Sequence, residues 1–170
     1  MGFTLILGGA RSGKSDLALR LGVQSERPVT FIATATAGDE EMAERIARHR
    51  SARPGGWSTV EAPADLCSAV GAVPRGDFVI VDCLTLWVSN LLEAGRPAEE
   101  VRALGEETAR AMSRRDGVVV SNEVGLGIVP ANELARTFRD VLGAVNATFA
   151  QCSERAFLMV AGRALELEAT

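Results

Sequence analysis

Five short segments carry almost unbroken apolar character: residues 3–7, 29–33, 77–81, 117–121 and 156–161. Each is bounded by turn formers, polar residues or glycine, and each has the length of a strand rather than a helix. Most lack the alternation of a strand with one wet face, which predicts parallel strands covered on both sides. Between them, apolar positions recur at helical spacing and predict helices over 13–21, 39–50, 64–73, 84–93, 98–114 and 132–151, with Pro97 and Pro130 near two of the starts. Strands alternating with helices imply an α/β fold with a mostly parallel sheet flanked by helices. The loop signals at 51–56 and 95–97 separate no segments of different composition, and no internal repeat is visible, so residues 1–170 are expected to form one domain.

Composition narrows the class. Of 170 residues, 47% are hydrophobic and 24% charged, the balance of a globular chain. The net charge is −4 and Lys14 is the only lysine, so no basic face exists for sequence-independent binding to a phosphate backbone, and nucleic acid is not an expected partner. A phosphate held here has to be held by local geometry, which points to a small nucleotide. Cys67, Cys83 and Cys152 are too dispersed, and with one histidine too few, for a disulfide framework or a Cys/His zinc site. The opening apolar run is too short for a signal peptide, and no apolar stretch could span a bilayer; a cytoplasmic location is expected.

The chemistry begins at Gly8-Gly9-Ala10-Arg11-Ser12-Gly13-Lys14-Ser15, which follows the first strand and opens an amphipathic helix bearing Leu17, Leu19 and Leu21. In such a phosphate loop the glycines let several backbone N–H groups point at one phosphate chain, the lysine neutralises the β and γ oxygens, and the serine hydroxyl holds Mg²⁺. The competing reading is a glycine-rich turn with a surface lysine. The expected class is therefore a P-loop NTPase fold of RecA-like type. Its second element is an acid at the end of a buried strand, and Asp82 closes Phe78-Val79-Ile80-Val81, as a second Mg²⁺-orienting residue beside Ser15 or as an N-cap of the helix from residue 84. Glu123 follows another strand and is a weaker candidate, since a charged residue there is usually only solvated.

His49, the lone histidine, sits near the end of the helix predicted over 39–50, with Arg45 one turn earlier on the same face and Arg48, Arg50 and Arg53 close by. A histidine at a helix C-terminus is commonly a dipole-compensating surface group. An imidazole among arginines also suits attack on phosphorus, with the guanidinium groups screening the oxyanions. Trp57, Thr59 and Glu61 alternate along an extended segment, as on a half-buried edge strand or on one folded over a nucleotide. The segment Asn122 to Pro130 reads as a glycine-kinked loop at a strand end, either a ligand loop or a connector.

Taken together these residues resemble the bifunctional adenosylcobinamide kinase/adenosylcobinamide-phosphate guanylyltransferases of cobalamin biosynthesis, over nearly the whole chain. The likeness rests on residues 8–15, Phe31-Ile32-Ala33-Thr34-Ala35, Glu41-Met42, Arg45-Ile46, His49, Arg53-Pro54, Trp57, Thr59 and Glu61. It continues through Val81-Asp82-Cys83-Leu84-Thr85-Leu86-Trp87, Asn90-Leu91-Leu92, Asn122-Glu123-Val124-Gly125, Ile128-Val129-Pro130 and the run from Asn132 to Asn146. The resemblance implies that His49 becomes covalently guanylylated. It also implies that Gly8, Gly9, Ala10, Arg11, Ser12, Gly13, Lys14, Ser15, Ala33, Thr34 and Ala35 contact GTP, with Arg50, Ser51, Ala52, Arg53, Glu61 and Asp82 completing the site. ATP or GTP would serve the kinase step, adenosylcobinamide and its phosphate would be the other substrates, and a homo-oligomer, a trimer, is implied. The tail from Gly162 to Glu168 departs from the family by being acidic, which puts tail-dependent packing in doubt. Two rival functions stand beside this one: a monofunctional P-loop small-molecule kinase, and a GTP-gated binding protein without turnover. No Asn-Lys-x-Asp guanine-reading motif is present, which counts against an ordinary GTPase switch.

Overall fold

The computed structural model describes residues 2–169; the side chain of Arg45, and with it the expected shared face with His49, lies outside the described residues. In chain order the elements are β1 (Phe3–Gly8), α1 (Lys14–Gln24), β2 (Val29–Ala33), α2 (Glu40–Ser51), β3 (Ser58–Glu61), α3 (Leu66–Ala72), β4 (Phe78–Asp82), α4 (Leu84–Glu93), α5 (Ala98–Met112), β5 (Gly117–Val120), α6 (Glu133–Cys152), β6 (Arg155–Val160) and β7 (Arg163–Leu167). All seven strands join one sheet in the order β3-β2-β4-β5-β1-β6-β7. Every neighbouring pair is parallel except β6 with β7.

The unbroken apolar runs are explained by burial on both faces. Side chains alternate across a strand: Phe3, Leu5 and Leu7 join the core beneath α3 to α6, whereas Ile6 joins the smaller core beneath α1. The same division holds in β4, where Val79 and Val81 face one core and Ile80 the other, and in β5, where Val119 opposes Val118 and Val120. Full burial of one such side chain contributes about 1.5–3 kcal/mol. Val79, Ile80 and Val81 are all inaccessible to solvent, so the strand carrying Asp82 is firmly seated.

The predicted strands and helices are present, with ends shifted by a few residues. The extended segment after Trp57 is the edge strand β3, anchored where Trp57 packs against the core under α1. The strand β7 was not anticipated. It is exposed along its whole length, so no burial pattern marks it. Its acidity is answered across the pair, where Arg155 of β6 donates to both carboxylate oxygens of Glu166 at 2.7 and 3.0 Å. The tail therefore pairs with the sheet despite the departure noted in the sequence. Among the described residues no helix is long and apolar enough to cross a membrane.

Candidate functional site

Strand register sets the site. Glu61, Ala33, Asp82, Val120 and Ile6 are successive partners across the sheet, so they form one row near its C-terminal edge. Ligands of open α/β sheets bind outside that edge, and the expected residues gather there.

The phosphate loop leaves β1 at Gly8 and enters α1 through Gly13. Gly8 has φ 150° and Gly13 φ 95°, conformations that side chains with a Cβ rarely adopt. A Cβ on Gly8 would also stand 2.5 Å from the Met159 carbonyl and 2.8 Å from Ser12 Oγ. Arg11 has φ 53° and lies exposed with Gly9 and Ala10 at the mouth of the loop. Lys14 is buried, its ammonium donating to the Gly9 carbonyl at 2.6 Å across the loop. Among the described residues the buried Ser12 hydroxyl has no hydrogen-bond partner, an unmet polar group of the kind a phosphate oxygen satisfies. The β6–β7 turn supports the loop from behind, with the Gly162 amide donating to the Ser12 carbonyl at 3.0 Å. Sequence reasoning missed that buttress because it rests on the unanticipated β7.

Ser15 Oγ donates to Asp82 Oδ2 at 3.0 Å, joining the first turn of α1 to the end of β4. The N-cap alternative for Asp82 does not hold: Cys83 occupies the cap position of α4 and no side chain caps it. Thr34 fixes this end of β4. Its hydroxyl donates to the Cys83 carbonyl at 2.7 Å and accepts from the Cys83 amide at 2.8 Å, and its own amide donates to the Asp82 carbonyl at 3.2 Å. Thr34 is fully buried and its carbonyl accepts from Asn90, so it lies one layer below the site with Ala33 and Ala35 half-buried on either side. The peptide between Asp82 and Cys83 is cis.

A cleft of about 210 Å³ opens beside this pair, and Ser15, Asp82, His49, Arg48, Ala52 and Phe31 line it together with Asp16 and Leu19. Helix α2 delivers His49. Asp39 caps its start, accepting from the Met42 amide at 2.7 Å, and Arg48, His49 and Arg50 fill its last turn, where positive charge is favoured. The structure thus brings the lone histidine to the phosphate loop, 34 residues away in sequence. Arg48, Phe31, Asp16 and Leu19 were outside the expected set. Arg48 had a signal in its place beside His49; the others are cleft walls only once α1 and β2 are packed.

Arg53 is half-buried, its guanidinium 3.7 Å from the centre of the Phe31 ring and its Nη1 donating to Thr59 Oγ1 at 3.1 Å. Burial lowers its pKa, opposed by the negative charge of Asp82 and assisted by Arg50. Arg50 and Glu61 approach to 3.9 Å on the exposed rim, and Ser51 Oγ donates to the Arg48 carbonyl. These four expected residues therefore sit around the outer side of the cleft. A surface pair such as Arg50 and Glu61 contributes little to stability, which leaves both groups available to a ligand.

On the other side of Asp82, the chain leaving β5 runs between β4 and β1. The Asn122 amide donates to Thr85 Oγ1 at 2.8 Å, and its carbonyl accepts from Asn146 Nδ2 at 3.0 Å. The Glu123 amide donates to the Gly8 carbonyl at 3.2 Å. Among the described residues no group of three or more His, Cys, Asp or Glu side chains could hold a metal ion by itself.

Comparisons with known proteins bear on the family and the fold. The family model described as cobinamide kinase / cobinamide phosphate guanyltransferase matches residues 4–167. The bifunctional adenosylcobalamin biosynthesis protein CobP of Pseudomonas aeruginosa is 45% identical over 169 residues, covering 96% of both chains. The bifunctional adenosylcobalamin biosynthesis protein CobU of Salmonella typhimurium is 37% identical over 179 residues, covering 96% of this chain and 98% of that one. Among solved structures, the flagellar accessory protein FlaH from Methanocaldococcus jannaschii superposes with a TM-score of 0.55 at 16% identity, over 98% of this chain and 78% of its own. The RadB recombinase does so with a TM-score of 0.50 at 16% identity, over 92% and 73%. Those two likenesses concern the fold alone, which is that of RecA-like P-loop proteins. By the family match and the full-length identities, the chain belongs to the cobinamide kinase / cobinamide phosphate guanyltransferase family.

Proposed function

We propose that this chain is a bifunctional enzyme that phosphorylates adenosylcobinamide with ATP or GTP, then transfers GMP from GTP to the product, giving adenosylcobinamide-GDP. The observation that carries this reading is the single cleft shared by Ser15, Asp82 and His49. A plain kinase has use for the first two and none for the third.

In the kinase step the loop amides and Lys14 bind the phosphate chain, and they stabilise charge spreading over the γ-phosphoryl oxygens as it moves to the substrate hydroxyl. In the transferase step an imidazole nitrogen of His49 attacks the α-phosphorus of GTP and pyrophosphate leaves, forming a histidine-GMP phosphoramidate. The corrinoid phosphate oxygen then attacks the same phosphorus and frees His49. Splitting one displacement into two explains the need for a nucleophile. Arg48, Arg50 and Arg53 around the cleft would screen the phosphate oxygens in both steps, with Ser51, Ala52 and Glu61 shaping the nucleotide's outer side.

Ser15 Oγ and the Asp82 carboxylate, 3.0 Å apart, are hard oxygen donors of the kind Mg²⁺ takes, and they would hold it. When bound it supplies charge neutralisation at the nucleotide phosphates. Residues 1–170 are read as one catalytic domain, because a single sheet draws strands from Phe3 to Leu167. The homo-oligomer, a trimer, and the cytoplasmic location belong to the same proposal. Exposed Leu126, Ile128, Val129 and Leu134 offer apolar surface for subunit contact.

The test is the His49→Ala variant assayed for each step. Loss of guanylyl transfer with phosphorylation retained is the expected result; full transferase activity would defeat the proposal.

A further inference from the structure

One carboxylate at the sheet edge has no part in the mechanism so far. Glu61 faces Arg50 on the rim and Asp82 accepts from Ser15. Glu123 belongs to neither group. It lies three residues beyond β5, the strand between the one bearing Asp82 and the one bearing the phosphate loop. Its amide donates to the carbonyl of Gly8, the first residue of that loop, and the unpartnered Ser12 hydroxyl lies against the same glycine. The backbone is held on its other side too, by Thr85 of α4 and Asn146 of α6 at Asn122. Glu123 is half-buried, and among the described residues no lysine or arginine pairs with its carboxylate, which accepts only the Gly125 amide, at 2.5 Å.

The two faces of the sheet divide the work. His49 lines a cleft walled by Leu19 of α1 and by Phe31, whose packing lies on the α1 side. Residue 122 is tied to α4 and α6, which cover the opposite face, and residue 123 is bonded through its amide to Gly8. The phosphate loop therefore has the cleft with His49 on its α1 side, while the chain bearing Glu123 is bonded to the loop's first residue.

The two half-reactions differ in the proton they must remove. A corrinoid phosphate is already an anion when it attacks guanylyl-histidine. The substrate hydroxyl of the kinase step is a neutral alcohol and must lose its proton as its oxygen bonds to phosphorus. We propose that Glu123 is the general base of the kinase half-reaction. Its carboxylate takes the hydroxyl proton while the alcohol oxygen bonds to the γ-phosphorus. The bond from that phosphorus to the β–γ bridging oxygen breaks, the electron pair leaves with the nucleoside diphosphate, and Glu123 then releases the proton to solvent. An unpaired carboxylate suits this, because a neighbouring cation would make it a poorer base. This assignment rests on the kinase reading above.

The experiment measures both half-reactions of the purified full-length chain: adenosylcobinamide with Mg²⁺-ATP or Mg²⁺-GTP, and ready-made adenosylcobinamide phosphate with Mg²⁺-GTP. In Glu123→Gln the ratio of kinase to transferase kcat is expected to fall roughly 100-fold or more, the usual contribution of a general base. Glu123→Asp should restore part of the ratio, and it carries the test if the glutamine variant does not fold. An unchanged ratio, or equal loss of both activities, would overturn the assignment. A wild-type chain that forms no adenosylcobinamide phosphate while still guanylylating the ready-made substrate would instead overturn the kinase reading itself.

Discussion

Gly117 opens β5, the strand that spaces the Asp82 strand from the phosphate-loop strand, and it is paired with Val79 on one side and Phe3 on the other. A Cβ there would lie 2.2 Å from the Val79 carbonyl oxygen, 3.0 Å from its carbon and 3.2 Å from its Cα. All three are backbone atoms in the sheet's interior and cannot swing aside. To reach ordinary contact, β4 and β5 have to part by about 1 Å, enough to break the 3.0 Å bond from the Val79 amide to the Asp116 carbonyl. Overpacking costs about 1–3 kcal/mol, and the broken ladder bond adds about 1 kcal/mol. The loss of glycine's freedom in the unfolded chain offsets about 0.4–1 kcal/mol. Gly117→Ala should therefore destabilise by about 1–3.6 kcal/mol, a fall in Tm of roughly 2–14 °C for a chain of this size. The assay is calorimetric unfolding without nucleotide, since a bound ligand would mask the difference. Gly105→Ala is the control. Its Cβ would meet only side-chain atoms of Val145, the nearest at 3.1 Å, a clash that a shift of a few tenths of an ångström relieves, and alanine gains about 1 kcal/mol in a helix, so its Tm should fall less than that of Gly117→Ala. Equal Tm for Gly117→Ala and wild type, or equal losses in both variants, would refute the steric reasoning.

Lys14→Ala removes the ammonium at the phosphate loop and should weaken GTP binding by roughly tenfold to 100-fold, the range for a hydrogen bond to a charged group; isothermal titration decides, and unchanged affinity argues against the site. Asn132→Ala deletes the cap of α6, whose Oδ1 accepts from the Ala135 amide at 2.6 Å, and should lower stability by about 1 kcal/mol in urea unfolding. Burial pushes the Cys83 thiol up to about 11, so iodoacetamide at pH 8 should spare Cys83 in the folded protein and label it after unfolding. Arg27, 2.6 Å away, holds the Asp116 carboxyl below the usual carboxylate range. Its contribution to stability is present at neutral pH and is lost as pH falls through that depressed value. Asp116→Asn should lower the urea midpoint at pH 7, with the gap to wild type closing in acid.

The strands under both helical layers were legible because burial on two faces leaves an apolar run that few other structures produce. The phosphate loop was legible because its backbone geometry demands glycine where Gly8 and Gly13 stand. Asp82 could be read as a cap or a site residue until packing set Ser15 beside it. His49 was ambiguous for the same reason: only the crossover of α2 from β2 to β3 shows which side of the sheet it joins. Strand β7 was invisible, since its five residues bury nothing and its partner was an assumed strand end. Glu123 carried a weak signal because its meaning comes from strand order, and order is fixed by long-range pairing that no local pattern records.

The most direct test of the account is the intact mass of the purified protein after incubation with Mg²⁺ and GTP, run beside His49→Ala. An acid-labile, GMP-sized adduct in the wild type and none in the variant is the expected result. A wild type that binds GTP and gains no mass, or a variant that gains the same mass, would contradict it.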